Sequence, residues 1–143
     1  MTSVQDLQDA LDGIVHADTQ VGELGIDLTV GEIYDIDGPG RIDFGGGELE
    51  PAELSAHDRT WRNPDDDYQW WHLDDGQYLI EYNETLTGDT IGVLEPRPAM
   101  LERGVAHPTV HVQALPRMPL AVGAGGVRIK ENARISRLMP GSA

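Results

Sequence analysis

The fold of this chain is indicated first by Leu24-Gly25-Ile26-Asp27-Leu28-Thr29-Val30-Gly31, a short apolar run that ends in glycine. Similar runs recur from Val21 onward, each a few residues long and separated from the next by Gly, Pro or Asp. They cover residues 25–34, 77–82, 90–94, 109–114 and 128–138. Short apolar runs bounded by turn residues are typical of β-strands. The sequence therefore predicts an all-β barrel or sandwich.

A short helix is predicted ahead of these strands. Ser3 has the side chain of an N-cap, and Val4, Leu7 and Leu11 follow it at helical spacing, with Gly13 just beyond. We therefore predict a helix over about residues 3–11. The whole chain, residues 1–143, is expected to form one domain, because 39% hydrophobic residues supply a modest core at this length.

One segment, residues 37–72, interrupts the pattern of strands. It is rich in Gly, Pro and acidic residues, and long loops of this kind are either functional or disordered. We predict a long acidic and aromatic surface excursion. Rigid aromatic side chains in a polar segment are candidate interface anchors, and here they are Trp61, Tyr68, Trp70 and Trp71. Alternatively, Trp70 and Trp71 lie on opposite faces of a strand and merely cover the barrel and a neighbouring subunit.

The charge of the chain indicates the salt environment for which it is suited. The formal net charge is −15, and only one of the ten basic residues, Lys130, is a lysine. Such an acidic chain repels itself at low salt and is most easily compact where salt screens the repulsion. We therefore expect a halophilic host. We expect no nucleic-acid partner, because no basic stripe is visible.

Several classes of protein are disfavoured by the composition. There is no apolar run long enough to cross a membrane, and no basic segment followed by an apolar one at the N-terminus, so neither a membrane partner nor signal-peptide secretion is expected. The absence of cysteine excludes disulfides and thiolate metal sites. The acidic runs at 65–67 and 74–75 are interpreted as solvated surface. No metal and no cofactor is expected.

Five segments, in the correct order, resemble the dCTP deaminase/dUTPase family. They are residues 9–15, residues 21–31, residues 73–86, the pair 96–101 and 110–114, and residues 127–138, in which Glu131-Asn132 occupies the place of the family's Pro-Gly turn. The resemblance implies a distorted β-barrel or jelly-roll with a short N-terminal helix. It also implies a homotrimer with nucleotide sites between subunits.

Two departures affect the active site that the resemblance implies. The family's Arg-Ser-Ser signature holds the triphosphate, but this chain has Arg97-Pro98-Ala99, and proline lacks both a hydroxyl and a backbone N–H. The family follows Val-His-Val-Thr-Ala with an Ile-Asp-Pro-Gly-type loop and a glutamate. In this chain no acidic residue lies between Val110-His111-Val112-Gln113-Ala114 and Glu131. Without a general base in this stretch, no catalytic residue is predicted.

Three further features receive structural interpretations. Asp27 is expected to accept hydrogen bonds from backbone donors. His107 and His111 are four residues apart, but Pro108 and the β-branched residues after it indicate a strand. His111 is therefore expected in the core or at an interface and not at a metal. The glycines at 123–126 lack the lysine and helix of a phosphate-binding loop and are interpreted as a hairpin turn.

Two non-enzymatic functions follow. The first is a non-catalytic homotrimer with a structural or interaction role, such as a capsid decoration protein on the virion of a haloarchaeal virus, found in the virion or the cytoplasm of a halophilic host. The second is a nucleotide-binding module that keeps vestigial contacts from Arg97, His111 and Gln113 and needs Mg²⁺ only when nucleotide is bound.

A third function is enzymatic. Rearranged acidic residues from a neighbouring subunit, such as Glu95, Glu102 or Asp89, would then support hydrolysis of dUTP or deamination of dCTP. A measurement of nucleotide binding distinguishes the structural role from the nucleotide-binding module. Detection of reaction product would identify the enzyme.

Overall fold

The computed structural model describes residues 2–141. The N-terminal helix α1 (Val4–Ala10) begins at Ser3, whose hydroxyl accepts from Asp6 N at 3.0 Å while the Asp6 carboxylate accepts from Ser3 N at 2.9 Å. This reciprocal capping box satisfies two donors that a helix start otherwise leaves free. Leu7 points inward and is fully buried. The predicted helix is therefore confirmed, one residue shorter at each end.

Thirteen strands and two further short helices follow. The helices are α2 (Ala17–Gln20) and α3 (Pro98–Leu101). The strands are β1 (Leu11–Asp12), β2 (Ile26–Gly38), β3 (Glu53–Ala56), β4 (Arg59–Thr60), β5 (Trp70–Leu73), β6 (Gly76–Tyr82), β7 (Thr85–Leu86), β8 (Gly92–Pro96), β9 (Val105–Ala106), β10 (Val110–Val112), β11 (Met118–Val122), β12 (Val127–Lys130) and β13 (Arg134–Pro140).

The main sheet has the order β10-β8-β13-β2-β6-β11-β9, with β3 on the far end of β2, and every pairing in it is antiparallel. Strand β2 is long enough to pair with β13 first, then with β6 and finally with β3. The sheet curls into a half-barrel around the core. The predicted all-β barrel is confirmed.

The core lies on the concave side of this sheet. Alternate side chains of β2 are fully buried there, as the strand period of two requires: Ile26, Leu28 and Val30. Partners from β6, β8, β11 and β13 fill the rest: Ile80, Leu94, Met118, Leu120, Ile135 and Leu138. The apolar runs found in the sequence are the strands that build this core.

The segment at residues 37–72 is more regular than the predicted excursion. Strand β3 extends the main sheet, while β4 and β5 join β12 in a separate three-stranded sheet. Residues 39–52, 57–58 and 61–69 lack strand structure, apart from one isolated bridge between Arg41 and Glu50. The predicted excursion thus contains three strands, because β3, β4 and β5 find strand partners far away in sequence.

Two predicted turns are present, but the strands on either side of each turn do not pair with each other. Gly126 N donates to Gly123 O at 3.0 Å, yet the strands on either side, β11 and β12, belong to different sheets. Strands β12 and β13 likewise do not pair with each other. The turn between these two contains Asn132, whose φ of 65° is the left-handed conformation that Gly or Asn tolerates. Both segments are tight turns and neither is a hairpin.

Candidate functional site

Arg97, the arginine that the resemblance matches to the family's Arg-Ser-Ser signature, lies between β8 and α3. Its backbone N donates to Ile135 O at 3.0 Å, and one guanidinium nitrogen donates to Arg134 O at 3.1 Å. Its Nε lies 3.4 Å from a carboxylate oxygen of Asp27, although without hydrogen-bond geometry. The Arg97 side chain is 21% exposed. Its charge is therefore already directed at a carboxylate of the same chain.

Asp27 accepts interactions from three arginines, not from the backbone donors that the sequence predicts. Its carboxylate lies 3.1 Å from Arg134, 3.4 Å from Arg97 and 3.8 Å from Arg137. Only 14% of the Asp27 side chain is exposed. The expected role was wrong because the register of β2 on β13 sets Asp27 opposite Arg137, a pairing that depends on long-range topology.

The two positions after Arg97 form the first turn of α3. Pro98 is the first helical residue and has no N–H, and Ala99 is exposed without a hydroxyl. Proline suits this position because its fixed φ matches a helix. The helix ends after four residues. This turn therefore lacks the two hydroxyl donors that accompany the arginine in the family.

His111 and Gln113 do not meet Arg97 within one chain. His111 is exposed on β10, directly opposite Val93 of β8. Arg97 follows Val93 by four residues along β8, a separation of about 13 Å at the strand rise. Gln113 lies one residue past the end of β10, further still. The three side chains therefore do not converge on one point of a single chain.

The buried histidine of the core is His107, not His111. His107 Nδ1 lies 2.8 Å from the carbonyl of Pro108, and its Nε2 lies 2.7 Å from the Ser136 hydroxyl. A carbonyl can only accept, so Nδ1 carries the proton and Nε2 accepts from Ser136. The Ser136 oxygen is in turn 2.7 Å from the Tyr82 hydroxyl. This chain of bonds is closed and buried, and it is a structural feature of the core.

Burial governs the ionisation of this network. Because desolvation disfavours charge, the pKa of His107 lies below its ordinary value and the pKa of Tyr82 lies above its ordinary value. Both groups are therefore neutral near pH 7. Neither side chain is exposed to an external ligand.

The acidic residues offered as rearranged catalysts are dispersed. Glu95 lies on β8 opposite Arg137, Glu102 is exposed after α3, and Asp89 is exposed between β7 and β8. Glu131, the first acid after β10, accepts from Arg59 at 2.9 Å and from Gln69 N at 2.7 Å. In one chain, therefore, no acid-base pair forms beside Arg97 among the described residues.

The four aromatic candidates separate into three environments. Trp71 is fully buried and stacks with Arg59, whose guanidinium carbon lies 4.8 Å from the ring centre. Trp70 is half-buried with the Lys130 ammonium 5.6 Å from its ring centre. Trp61 and Tyr68 are exposed. Trp70 and Trp71 thus point to opposite faces of β5, as the alternative interpretation predicts, and Trp71 belongs to the core.

Sequence reasoning missed a concentration of positive charge. Six of the ten basic residues surround α3 and the turn between β12 and β13, and we call this set the basic face: Arg97, Arg103, Arg128, Lys130, Arg134 and Arg137. Four of them line a cavity of about 200 Å³. The alternation of Arg128 and Lys130 along β12 was the available signal, because it sets both on one side of that strand.

Two classes of site receive no support within residues 2–141. No three His, Asp or Glu side chains there are grouped closely enough to hold a metal ion. No helix in this part of the chain is long and apolar enough to cross a membrane.

Comparison with known proteins identifies relatives in sequence and fold. No family model matches the chain. The probable deoxyuridine 5'-triphosphate nucleotidohydrolase of Methanosarcina acetivorans is 29% identical over 143 residues, which cover 95% of this chain and 80% of that protein. The protein with the same printed name from Methanococcoides burtonii is 28% identical over 136 residues, covering 90% and 76%.

The fold has a solved counterpart. The crystal structure of 2'-deoxycytidine 5'-triphosphate deaminase from Agrobacterium tumefaciens superposes with a TM-score of 0.57 at 15% identity, over 92% of this chain. The matched part is 42% of the deaminase chain, so this comparison concerns the fold alone. Taken with the sequence relatives, it is consistent with the resemblance to the dCTP deaminase/dUTPase family.

Proposed function

We propose that this chain is a non-catalytic homotrimer of the dUTPase/dCTP deaminase fold with a structural or interaction role. The observation that carries the proposal is the state of Arg97, whose guanidinium already contacts Asp27 and the carbonyl of Arg134. A triphosphate at this position would have to compete with the Asp27 carboxylate for the charge of Arg97.

The residues around Arg97 support the same conclusion. A polyanion site needs neutral donors beside a fixed cation, and Pro98 and Ala99 supply no hydroxyl. Hydrolysis or deamination also needs a titratable group near the attacking water. Strand β11 carries none, and Glu131 is paired with Arg59.

The proposed setting is a halophilic host. A net charge of −15 favours folding where salt screens repulsion between carboxylates. We expect the thermal midpoint to rise between about 0.1 M and about 2 M KCl, because the Debye length falls from about 10 Å to under about 3 Å. Decoration of a capsid is one form of the proposed role, and it predicts that the trimer binds purified virions of a halophile.

The second candidate is a nucleotide-binding protein or nucleotide hydrolase acting on dUTP or dCTP. The printed names of the sequence relatives favour it, because they describe deoxyuridine triphosphate hydrolases. Arg97 of one subunit with His111 and Gln113 of another would then contact the nucleotide, and Mg²⁺ would accompany the phosphates.

Calorimetric titration with dUTP and with dCTP tests the choice, in molar salt with Mg²⁺ and with product analysis of the same samples. The proposal predicts no heat of binding, no pyrophosphate and no ammonia. Release of pyrophosphate or ammonia would show that the protein is an enzyme. Heat of binding without product would favour the nucleotide-binding module. An Arg97→Ala variant is the matched control, because heat from this site disappears in it.

A variant that restores the two hydroxyls tests why nucleotide binding is lost. Pro98→Ser with Ala99→Ser returns both hydroxyls to α3 while leaving the core untouched, since both positions are exposed. If missing donors explain the loss of binding, this variant gains measurable affinity for dUTP. Equal behaviour of the two proteins would assign the loss to the engaged Arg97 alone.

A further inference from the structure

The hairpin at residues 41–50 exposes three large apolar side chains. Phe44, the only phenylalanine of the chain, has a relative exposure of 109%, Ile42 of 93% and Leu49 of 62%. Single apolar side chains on a surface are ordinary, but a cluster on one short element marks an interaction site. We call this element the projecting hairpin.

The projecting hairpin is held by its own contacts. Arg41 and Glu50 exchange backbone hydrogen bonds at 2.9 and 3.0 Å, and their side chains pair at 2.8 Å. The Asp43 carboxylate accepts from the backbone N of Gly46 and of Glu48, both at 3.1 Å. The tip therefore has a defined conformation before any partner arrives, which lowers the entropic cost of binding.

The basic face contains a cavity that matches this hairpin. The cavity measures about 200 Å³ and its floor is largely apolar: Trp70, Ala99, Met100, Val127, Ile129, Ala133 and Ile135. Four basic residues complete the lining and form its cationic rim: Arg103, Arg128, Lys130 and Arg134. Arg134 also pairs with Asp27 at 3.1 Å, and Lys130 lies 3.8 Å from Asp66. An apolar floor inside a cationic rim suits an apolar group with acidic neighbours.

The projecting hairpin has that composition. Its apolar side chains alternate with Asp43, Glu48 and Glu50. Complementary charge steers two surfaces together and fixes their register. In a chain with 25 acidic and 10 basic residues, a patch holding most of the cations is the natural receptor for another acidic copy.

We propose that the projecting hairpin of one copy inserts Phe44 into the cavity of the basic face on a second copy. This inference rests on the proposed homotrimer and names the contact that builds it. Because the two surfaces are different, the contact is head-to-tail, and three such contacts close a ring in the proposed homotrimer. Burial of an aromatic side chain, roughly 150–250 Å², supplies the apolar part of the contact.

Site-directed cross-linking between copies tests the contact, since the chain has no native cysteine. Gly45→Cys is suitable on the hairpin, because a Cβ there meets nothing within 4 Å, and Ala99→Cys is suitable at the cavity because it is exposed. The two variants are mixed in molar salt, one of them carrying a size tag, and treated with a short bismaleimide. Leu24→Cys, 75% exposed elsewhere, replaces the hairpin cysteine as the control.

We expect the Gly45→Cys and Ala99→Cys pair to cross-link about tenfold or more above the control, because docking raises their effective concentration. Adding Phe44→Ser to the hairpin variant should return the yield to the control level. A trimer without this cross-link overturns the proposed contact and leaves the homotrimer standing. A monomeric protein overturns both.

Charge reversal supplies an independent test. Arg103→Glu should lower the cross-linking yield, and Glu48→Arg in the hairpin partner should recover part of it. Arg103 is exposed, and its only ion pair among the described residues is the 3.7 Å contact with its neighbour Glu102, so both variants should fold. Equal yields across the four combinations would show that charge does not position the hairpin.

Discussion

Two regions of similar composition, the projecting hairpin and residues 53–73, behave differently in this fold. Both are rich in acidic residues and both follow β2. Residues 53–73 form β3, β4 and β5 and pack Trp71 into the core. The projecting hairpin leaves Phe44 and Ile42 exposed and contacts mainly itself.

The difference lies in where the charged side chains find partners. Arg59 pairs with Glu32 of β2 at 2.5 Å and with Glu131 at 2.9 Å. His57 contacts Asp35 of β2 at 2.7 Å and the carbonyl of His72 at 2.8 Å. Arg41 pairs only inside its own hairpin. Long-range pairs thus fix residues 53–73 on the barrel, while the hairpin is free to contact another molecule.

Arg59→Met should have the largest effect on stability. It removes both ion pairs and the stacking on Trp71, leaving two half-buried carboxylates without their cation. We expect the free energy of unfolding to fall by about 2 kcal/mol or more in urea denaturation, a value that allows for the 28% exposure of Arg59.

The matched control is Arg41→Met, which removes the same kind of pair from the projecting hairpin. Both partners there are 58% exposed, so the loss should stay below about 1 kcal/mol. Equal losses for the two variants would contradict the distinction between the regions.

Ser136→Ala tests the core network. The change leaves the buried Tyr82 hydroxyl and His107 Nε2 without their shared partner, so we expect a loss of about 1–3 kcal/mol in the same denaturation experiment.

The pKa of His107 is lowered in the folded chain. The unfolded chain therefore binds more protons below pH 6.5, and stability should fall as the pH drops toward the folded pKa.

His57 should give the opposite pH dependence. Both of its ring nitrogens face acceptors, so it binds as the imidazolium. Burial opposes the charge, but the bonds to Asp35 and to His72 outweigh it and raise the pKa of His57 above 6.5. Its stabilisation is complete below pH 6.5 and is lost as the pH rises through the folded pKa.

The His57→Gln variant measures this pH-dependent stabilisation by His57. We expect a loss of about 1.5 kcal/mol near pH 6 that shrinks toward pH 9, measured as urea midpoints across the range. His111→Gln, exposed on β10, is the control and should change little at any pH. A constant difference between wild type and His57→Gln would rule out an imidazolium at this position.

Phe44→Ser should have the smallest effect on the isolated chain. Because Phe44 is fully exposed, we expect less than about 0.5 kcal/mol of change in unfolding free energy in dilute solution. A larger loss there would mean that Phe44 packs against its own chain.

Sequence reasoning recovered the elements that depend on local pattern. The Ser3 cap, the strands from Ile26 onward and the family resemblance were all predictable, because each depends on neighbouring residues. The arginines around Asp27 and the buried His107 were not, since their partners are distant in sequence. The exposure of Phe44 was equally hidden, although a lone phenylalanine beside three glycines was a usable signal.

Sedimentation equilibrium in molar salt, comparing wild type with Phe44→Ser, tests most directly whether the projecting hairpin acts between copies. We predict that the wild type has the mass of three copies of the 15.6 kDa chain and that Phe44→Ser has a smaller mass while keeping its folded circular dichroism. A Phe44→Ser protein that remains fully trimeric, or a wild type that is monomeric, would contradict this role for the hairpin.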